Sequence, residues 1–317
     1  MRKFIKVLLS TLGVVLLLIS AYALWSLIAY RDIATADLLD EYGQGAQVVE
    51  IAGTPVAYRI DGDVSQGAPW VLVHSHYFDS LMWDEILKHL SPQHGVIRYD
   101  LTSHGLTGPD SQADYSMGRD LELLHGLLTH LKVTSAVVVG SSLGGNIAFH
   151  YAAKFPQQTA GLVLINSGGI KRQQTSRRNA ASIPDWFYRV FYFVPTAAFQ
   201  KFITWMVVDE ADVSEALLQR FHAMFRHQGN RKAEMQRMSS FDAGQAEAVL
   251  AAVTAPTLIL WGRENPQLPV ELVAEFERLM IGADSLQSVI IDGAGHLLPV
   301  EKPAQTAAAM NTFRGRL

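Results

Sequence analysis

The fold is decided by the stretch VVVGSSLGGNIA, residues 137–148. Apolar residues lead into a GSSLG turn (residues 140–144), and a helix-forming run follows it. A G-x-S-x-G turn between a strand and a helix is tight and strained, so its neighbours must be small, and it lifts the central serine out at the top of a sheet. The stretch therefore predicts that Ser142 is a nucleophile and that the backbone N–H of Leu143 faces a developing oxyanion.

A second stretch, IIDGAGHLLPVEKP (residues 290–303), supplies a partner for this serine. His296 lies in a glycine-rich turn just after an apolar run, from which its ring can reach over the edge of a sheet. A histidine in that place can accept the proton of the Ser142 hydroxyl and later donate it to a leaving group. The two residues therefore predict a nucleophile with its general base.

Around these motifs, short apolar runs alternate with helical patterns. Continuous apolar strands separated by helices predict a mostly parallel sheet with helices on both faces. The predicted strands cover residues 47–53, 54–62, 70–75, 95–100, 135–140, 160–167, 256–262 and 286–293, and the predicted helices cover residues 81–90, 116–133, 143–156, 269–280 and a last segment from Pro303.

Six stretches together resemble the α/β-hydrolase superfamily over about residues 47–317. They are LVHSHYFDSLMWD (72–84), RYDLTSHGLTGPD (98–110), VVVGSSLGGNIAFHYAAKFP (137–156), LVLINSGG (162–169), PTLILWGRENPQLP (256–269) and IDGAGHLLPVEKP (291–303). The resemblance implies an α/β-hydrolase fold, a cofactor-free serine hydrolase, and a second oxyanion N–H at His76. With its apolar N-terminus, the chain also looks like the membrane-anchored esterases and monoacylglycerol lipases of that family.

Two positions depart from the family pattern. The family usually has His-Gly where this chain has His74-Ser75, and it usually has a carboxylate at Asn265. An asparagine oxygen can orient the imidazole of His296, but it cannot stabilise an imidazolium by charge. The neighbouring Glu264 is the first candidate to replace the carboxylate, with Asn265 itself as a neutral orienter close behind.

Other positions are weaker candidates for the carboxylate that would orient His296. Asp292, four residues before His296, is the third candidate, and it is expected to point along its own strand. The family's second acid position is occupied by Asn166, which has no carboxylate. The pair His74-x-His76, followed by Asp79, could ligate zinc, but the further ligands of a metallo-hydrolase are not at matching positions, so we expect no metal.

An aromatic, helical insertion is expected at residues 169–238, where the alternation of strands stops. We interpret it as a cap over a pocket at the carboxyl ends of the strands, although extra packing helices would look similar. The hydrolase core is then expected at residues 47–168 and 239–317.

The N-terminus is expected to be a membrane anchor, residues 1–31. After three basic residues, 24 residues without a charge run from Val7 to Tyr30, which is enough to span a hydrocarbon core of about 30 Å. The charge bias favours an extracytoplasmic hydrolase domain, joined through a polar tether at residues 32–46. The alternative is a signal peptide cleaved after Ala23, in the A-x-A pattern of residues 21–23.

Composition excludes several classes of function. The chain of 317 residues has a net charge of -4, which gives no electrostatic footprint for nucleic acid, and it has no cysteine for a disulfide, a thiolate metal site or a cysteine nucleophile. We therefore expect a hydrolase of carboxylic esters, lipid-like or acyl-glycerol. The alternatives are a carbon–carbon bond hydrolase on the same scaffold and an inactive binding protein; the oligomeric state stays open.

Overall fold

The computed structural model describes residues 2–170, 184–240 and 246–317. Its strands are β1 (Gln47–Ile51), β2 (Thr54–Asp61), β3 (Trp70–Val73), β4 (Val96–Tyr99), β5 (Ala136–Ser141), β6 (Thr159–Ile165), β7 (Thr257–Gly262) and β8 (Leu286–Ile291). Its helices are α1 (Arg2–Ala29), α2 (Thr35–Tyr42), α3 (Asp84–Leu87), α4 (Met117–His130), α5 (Leu143–Lys154), α6 (Thr196–Thr204), α7 (Glu215–Phe225), α8 (Asn230–Ser240), α9 (Ala246–Ala251), α10 (Leu272–Leu279), α11 (Leu298–Glu301) and α12 (Pro303–Arg314). Short 3-10 segments lie at Ser80–Trp83, Pro156–Gln158, Asp185–Phe193 and Glu210–Asp212.

The eight described strands form one sheet in the order β1-β2-β4-β3-β5-β6-β7-β8. β2 pairs antiparallel with β1 and with β4, and the other neighbours are parallel. Parallel strands need covered faces, and both faces are covered here. Along β3, Val71 and Val73 pack into one core cluster, whereas Trp70 and Leu72 pack into the cluster on the other face. The predicted α/β-hydrolase fold is confirmed.

The segment between helix α1 and the sheet differs from the expected polar tether. Residues 35–42 form α2, and Leu38 is fully buried beside Leu106 and Met224. Just before it, Ile33 makes two backbone hydrogen bonds with the loop after α7: its N–H donates to Arg226 O and its carbonyl accepts from Gln228 N–H. The expectation of a tether is therefore wrong. The helix could not be recognised in the sequence, because eight residues with one buried leucine give too short an apolar pattern.

The described part of the predicted cap consists of the 3-10 segment Asp185–Phe193 and helices α6, α7 and α8. Residues 171–183 of the predicted insertion lie outside the described residues. Helix α8 continues to Ser240, two residues beyond the predicted boundary. The three helices therefore stand between β6 and β7, at the carboxyl ends of the strands where the candidate nucleophile lies.

Candidate active site

Ser142 occupies the turn between β5 and α5 with φ of 53° and ψ of −111°. A positive φ costs energy at a residue other than glycine, and here the surroundings hold it in place. The N–H of Ser142 donates to Ile165 O, and its carbonyl accepts from the N–H of Gly168. The strand and the following loop therefore fix the serine backbone in its strained form.

The imidazole of His296 lies against this serine. Its Nε2 is 3.0 Å from Ser142 Oγ, and its Nδ1 is 3.2 Å from Asn265 Oδ1. The ring is buried, and burial lowers the pKa of His296 to about 4, since it disfavours the charged form. The ring is therefore neutral at neutral pH, with one nitrogen able to accept the serine proton.

The orientation of the Asn265 amide is set by its own turn. Asn265 Oδ1 accepts the backbone N–H groups of Gln267 and Leu268, both at 3.0 Å. Only the oxygen can accept these bonds, so the oxygen faces His296 and receives its Nδ1–H. The amide nitrogen, Nδ2, is buried and has no hydrogen-bond partner among the described residues. The neutral asparagine thus selects the tautomer that leaves Nε2 free for Ser142.

Glu264, the first sequence candidate for the orienting role, faces elsewhere. Its Oε2 accepts the backbone N–H of Ala294, so the preference for Glu264 over Asn265 is reversed by the geometry. Asp292 forms an exposed ion pair with Arg263 and also stays away from the imidazole. Successive side chains in a tight turn point in different directions, which explains why Asn265 faces His296 and Glu264 does not. The Asn-Pro dipeptide at residues 265–266 was the available clue, since Asn-Pro favours a turn of this kind.

Backbone and carboxylate contacts hold the loop that carries His296. Asn166 Nδ2 donates to Gly295 O and His296 O, and its Oδ1 accepts from Gly262 N–H. The buried carboxylate of Glu301 accepts from the N–H groups of Gly295 and Leu297. The sequence had offered Asn166 only as a position without a charge, whereas the structure gives it a place in the support of the histidine loop.

Two backbone N–H groups near Ser142 are open to a ligand. Leu143 begins α5, and the first N–H groups of a helix have no intrahelical acceptor. In the loop after β3, the N–H groups of Ser75, Tyr77 and Phe78 each have an acceptor. The N–H of His76 has none among the described residues. The two predicted oxyanion donors are therefore both available.

Ser75, which stands where the family usually has glycine, is accommodated by a hydrogen bond to Ser141. Its hydroxyl donates to Ser141 Oγ at 2.8 Å, and both side chains are buried. A buried hydroxyl without a partner would be costly. The pair therefore removes the polar penalty of Ser75 and ties the loop after β3 to the residue before Ser142.

His74, which the sequence suggested could ligate zinc together with His76, has no free ring nitrogen. His74 is buried with both ring nitrogens engaged: Nδ1–H donates to Ser75 O, and Nε2 accepts from Leu101 N–H. Burial lowers its pKa to about 3. A different triangle, His76, His104 and Glu234, brings its ligand atoms within 4.8 Å of one another. Sequence reasoning missed Glu234, because it lies on a helix of mostly polar residues.

A cavity of about 500 Å³ opens over Ser142. Its walls combine core residues with the end of α8, and apolar side chains supply much of the surface. Lining residues include His76, Tyr77, Leu143, Ile170, Met238 and Leu268. The site therefore has room for a substrate beside the candidate nucleophile.

The sheet order, the strained serine turn and the serine–histidine contact define a hydrolase of the α/β class. A model of the alpha/beta hydrolase family matches residues 70–309, so the chain belongs to the α/β-hydrolase family. It is 24% identical to Lipase 1 of Psychrobacter immobilis over 84% of this chain and 82% of that one. It is 25% identical to 2-hydroxy-6-oxo-2,4-heptadienoate hydrolase of Pseudomonas putida over 79% of this chain and 90% of that one.

Solved structures show the same fold. The crystal structure of a membrane phospholipase A, described as a bacterial virulence factor, superposes with a TM-score of 0.71 at 24% identity. The match covers 100% of this chain and 99% of that one. It therefore extends over the N-terminal helix as well as the hydrolase core.

Proposed function

We propose that the protein is a serine hydrolase of carboxylic esters with a lipid-like or acyl-glycerol substrate. The observation that carries the proposal is the chain of contacts from Ser142 Oγ through His296 to Asn265 Oδ1. Nucleophile and base are within hydrogen-bond reach, and the base is oriented by a third group, as nucleophilic catalysis requires.

The proposed reaction follows from these contacts. His296 Nε2 takes the hydroxyl proton while Ser142 Oγ attacks the ester carbonyl, and the N–H groups of Leu143 and His76 hold the oxyanion. The alkoxide leaves with the proton from His296, which gives an acyl-enzyme. Water, deprotonated by the same histidine, then releases the acid and restores the serine. No metal or cofactor takes part in this scheme.

An apolar substrate is supported by the outer surface of the cap. Exposed apolar side chains cluster on the 3-10 segment Asp185–Phe193, with Trp186 59% and Val190 41% exposed. Contiguous exposed apolar groups usually mark a surface that contacts a partner or a lipid. The same segment contacts helix α1, because Tyr22 Oη donates to Phe193 O at 2.9 Å.

Helix α1 then sets the height of that surface above a bilayer. The helix has 28 residues, and none of its most apolar window is buried. If its hydrocarbon-spanning part begins after Lys6, about 20 residues cross a core of about 30 Å, at about 1.5 Å per residue. Tyr22 then lies about 6 Å inside the far boundary. Phe193, which is bonded to Tyr22, would then lie near the far boundary of the bilayer, where aromatic residues are enriched. This agreement supports the proposal of an uncleaved anchor.

A carbon–carbon bond hydrolase is the second candidate, because the chain is also similar to one over most of its length. The same serine and histidine could serve that reaction. The exposed apolar face of the cap and the anchor favour the lipid ester, since neither is needed for a small soluble substrate. An inactive binding protein is opposed by the intact contact between Ser142 and His296.

Covalent labelling with a fluorophosphonate probe tests the proposal. We expect the purified wild type to be labelled and the Ser142→Ala variant to remain unlabelled, because only an activated serine attacks this electrophile. Circular dichroism of both proteins serves as the folding control. A well-folded wild type that takes up no probe would contradict the proposal and favour the binding protein.

A second expectation concerns the presentation of the substrate. We expect the Trp186→Ser, Val190→Ser double variant to hydrolyse a long-chain monoacylglycerol in vesicles about 100-fold more slowly, since each of the two apolar side chains adds about 1.5 kcal/mol to membrane contact when it is fully buried. A soluble short-chain ester should be hydrolysed at the wild-type rate. Ile281→Ser is the matched control, because Ile281 is 81% exposed but lies on the surface of the hydrolase core and not on the cap. Equal losses on both substrates would argue against a membrane-facing cap.

A further inference from the structure

Helix α8 places a buried carboxylate beside the loop that carries the second oxyanion donor. Glu234 is 2% exposed, and its Oε2 accepts from His76 Nε2 at 2.8 Å. Its Oε1 accepts from the Ser103 hydroxyl at 3.2 Å and lies 2.9 Å from His104 Nε2. The cap thus contributes one side chain that contacts two histidines of the core.

His76 is part of the loop after β3, and His104 is hydrogen-bonded to that loop. His76 offers its backbone N–H to the oxyanion, and the next residue, Tyr77, donates its own N–H to His104 Nε2 at 3.0 Å. Tyr77 has φ of 69°, in the left-handed region that costs energy for a residue with a side chain. The hydrogen bond to His104 therefore helps to keep the loop in the conformation that leaves the His76 N–H open.

The ring of His104 is held at its other nitrogen. Nδ1–H donates to Thr102 O at 2.9 Å, so in the neutral ring Nε2 is the acceptor for Tyr77. Burial raises the pKa of Glu234, but His104 and His76 lower it further, so the pKa lies well below its usual range. The carboxylate is charged, and the hydrogen bonds that it accepts from His76 and Ser103 hold it in place.

Helix α8 is itself fixed on both sides of Glu234. Three residues earlier, Arg231 binds Asp32 Oδ1 and Tyr30 O beyond the anchor helix. Three residues later, Arg237 makes two hydrogen bonds with the buried carboxylate of Asp120. Spacings of three place these side chains along one side of the helix. Glu234 therefore has little freedom to move away from His76 and His104.

The same triangle does not favour a metal ion. The single in-plane lone pair of neutral His104 Nε2 already accepts the Tyr77 N–H, so an ion there would have to break that bond. His76 Nε2 carries the proton that it donates to the acidic partner. The hydrogen-bond network uses the groups that a metal would need.

We propose that Glu234 is a positioning residue that holds the His76–Tyr77 loop in its oxyanion-binding form by the hydrogen bond that it accepts from His76. The inference rests on the proposed serine hydrolase function. It assigns the cap a part in the chemical step itself, in addition to covering the pocket.

The Glu234→Gln variant tests this role, because glutamine keeps the shape and removes the charge. We expect kcat for a short soluble ester to fall about tenfold with little change in KM, since a displaced oxyanion donor loses part of the 10²- to 10³-fold that a deleted donor costs. Glu215→Gln, at an exposed carboxylate of α7 in the same cap, is the matched control and should keep the wild-type kcat. An unchanged kcat in Glu234→Gln would overturn the proposal, and so would a rise in KM alone.

Hydrogen exchange supplies a readout that does not need activity. In Glu234→Gln we expect faster amide exchange in the peptide covering residues 74–80 and wild-type exchange in the core strand β6. Unchanged exchange in residues 74–80 would overturn the proposal, even if the wild type hydrolysed no ester. If Glu234→Gln does not fold, Glu234→Asp, which keeps the charge but shortens the side chain, is measured in its place with the same expected outcomes. Failure of the proposed function would instead appear as an unlabelled wild type.

Discussion

The Asn265→Asp variant is expected to have a kcat/KM about 10- to 100-fold higher than the wild type near pH 8. A carboxylate next to the imidazole stabilises the imidazolium that forms as Ser142 attacks, and an opposite charge at this distance shifts a pKa by about one to three units. One unit corresponds to about 1.36 kcal/mol. Steady-state hydrolysis of a soluble ester measures the change.

The site is already shaped for this carboxylate. One oxygen would keep the two N–H groups of Gln267 and Leu268 and the Nδ1–H of His296. The other oxygen would replace the buried Nδ2, which has no partner among the described residues. In a serine protease the reverse change costs about 10⁴ in kcat, partly because the tautomer becomes wrong. Here the tautomer is already right, so the expected gain is smaller.

The pH profile should change in a defined direction. In the wild type, the pKa of His296 is lowered to about 4 by burial, so the base is neutral and competent at every pH above about 5. The carboxylate in Asn265→Asp raises this pKa. The gain in kcat/KM should therefore shrink as pH falls from 8 to 5, because the variant's base becomes protonated first.

The matched control is Asn166→Asp at the family's other acid position. Asn166 Nδ2 donates to two carbonyl oxygens, so an aspartate there would set a carboxylate oxygen against them and would lose activity and stability. If Asn265→Asp folds with the wild-type melting temperature and kcat/KM does not increase, the neutral orienter does not limit the reaction.

Gly144→Ala is expected to lower the free energy of unfolding by about 4 kcal/mol or more, which would leave little folded protein. A methyl group at Gly144 would overlap the carbonyl oxygen of Val73 and lie 2.6 Å from that of His74. These atoms belong to the last residue of β3 and to the residue after it, and they cannot move without disturbing the sheet. Expression in the soluble fraction and thermal unfolding measure the effect.

Gly118→Ala is the matched control for this substitution. Gly118 lies in the first turn of α4, and an added methyl group would meet only the Ser116 hydroxyl, at 3.7 Å. Alanine favours a helix over glycine by about 0.5–1 kcal/mol, so this variant should be slightly more stable than the wild type. A Gly144→Ala protein as stable as Gly118→Ala would show that the turn around Ser142 is less tightly packed than the structure indicates.

The centre of the sheet could be predicted from the sequence because its strands are buried on both faces. The apolar runs AVVV before Ser142 and LILW before Asn265 each form a strand whose ends lie within one residue of the predicted ones. Ser142 and His296 could be predicted as partners because each follows such a run. Turns of that kind at the carboxyl ends of parallel strands meet at one edge of the sheet.

The remaining features depend on contacts that no local pattern contains. Glu234 lies in a polar stretch and reads as a solvated side chain, yet it is buried by loops more than 100 residues earlier in the chain. Helix α2 has one buried leucine, Leu38, in an otherwise polar segment. Asn265 and Glu264 are adjacent, so only the bonds of the turn decide which of them faces the histidine.

The attachment of helix α1 and the residues after it to the cap has a kinetic consequence if α1 is the proposed anchor. Tyr22, Ile33 and Asp32 are all hydrogen-bonded to cap residues. The hydrolase domain therefore cannot rotate freely relative to helix α1. Under the proposed anchoring, the mouth of the cavity stays at one height relative to the bilayer and meets substrate that is dissolved in the membrane. The rate of hydrolysis should then depend on the mole fraction of substrate in the membrane. Adding inert lipid should slow the reaction, and adding buffer should leave it unchanged.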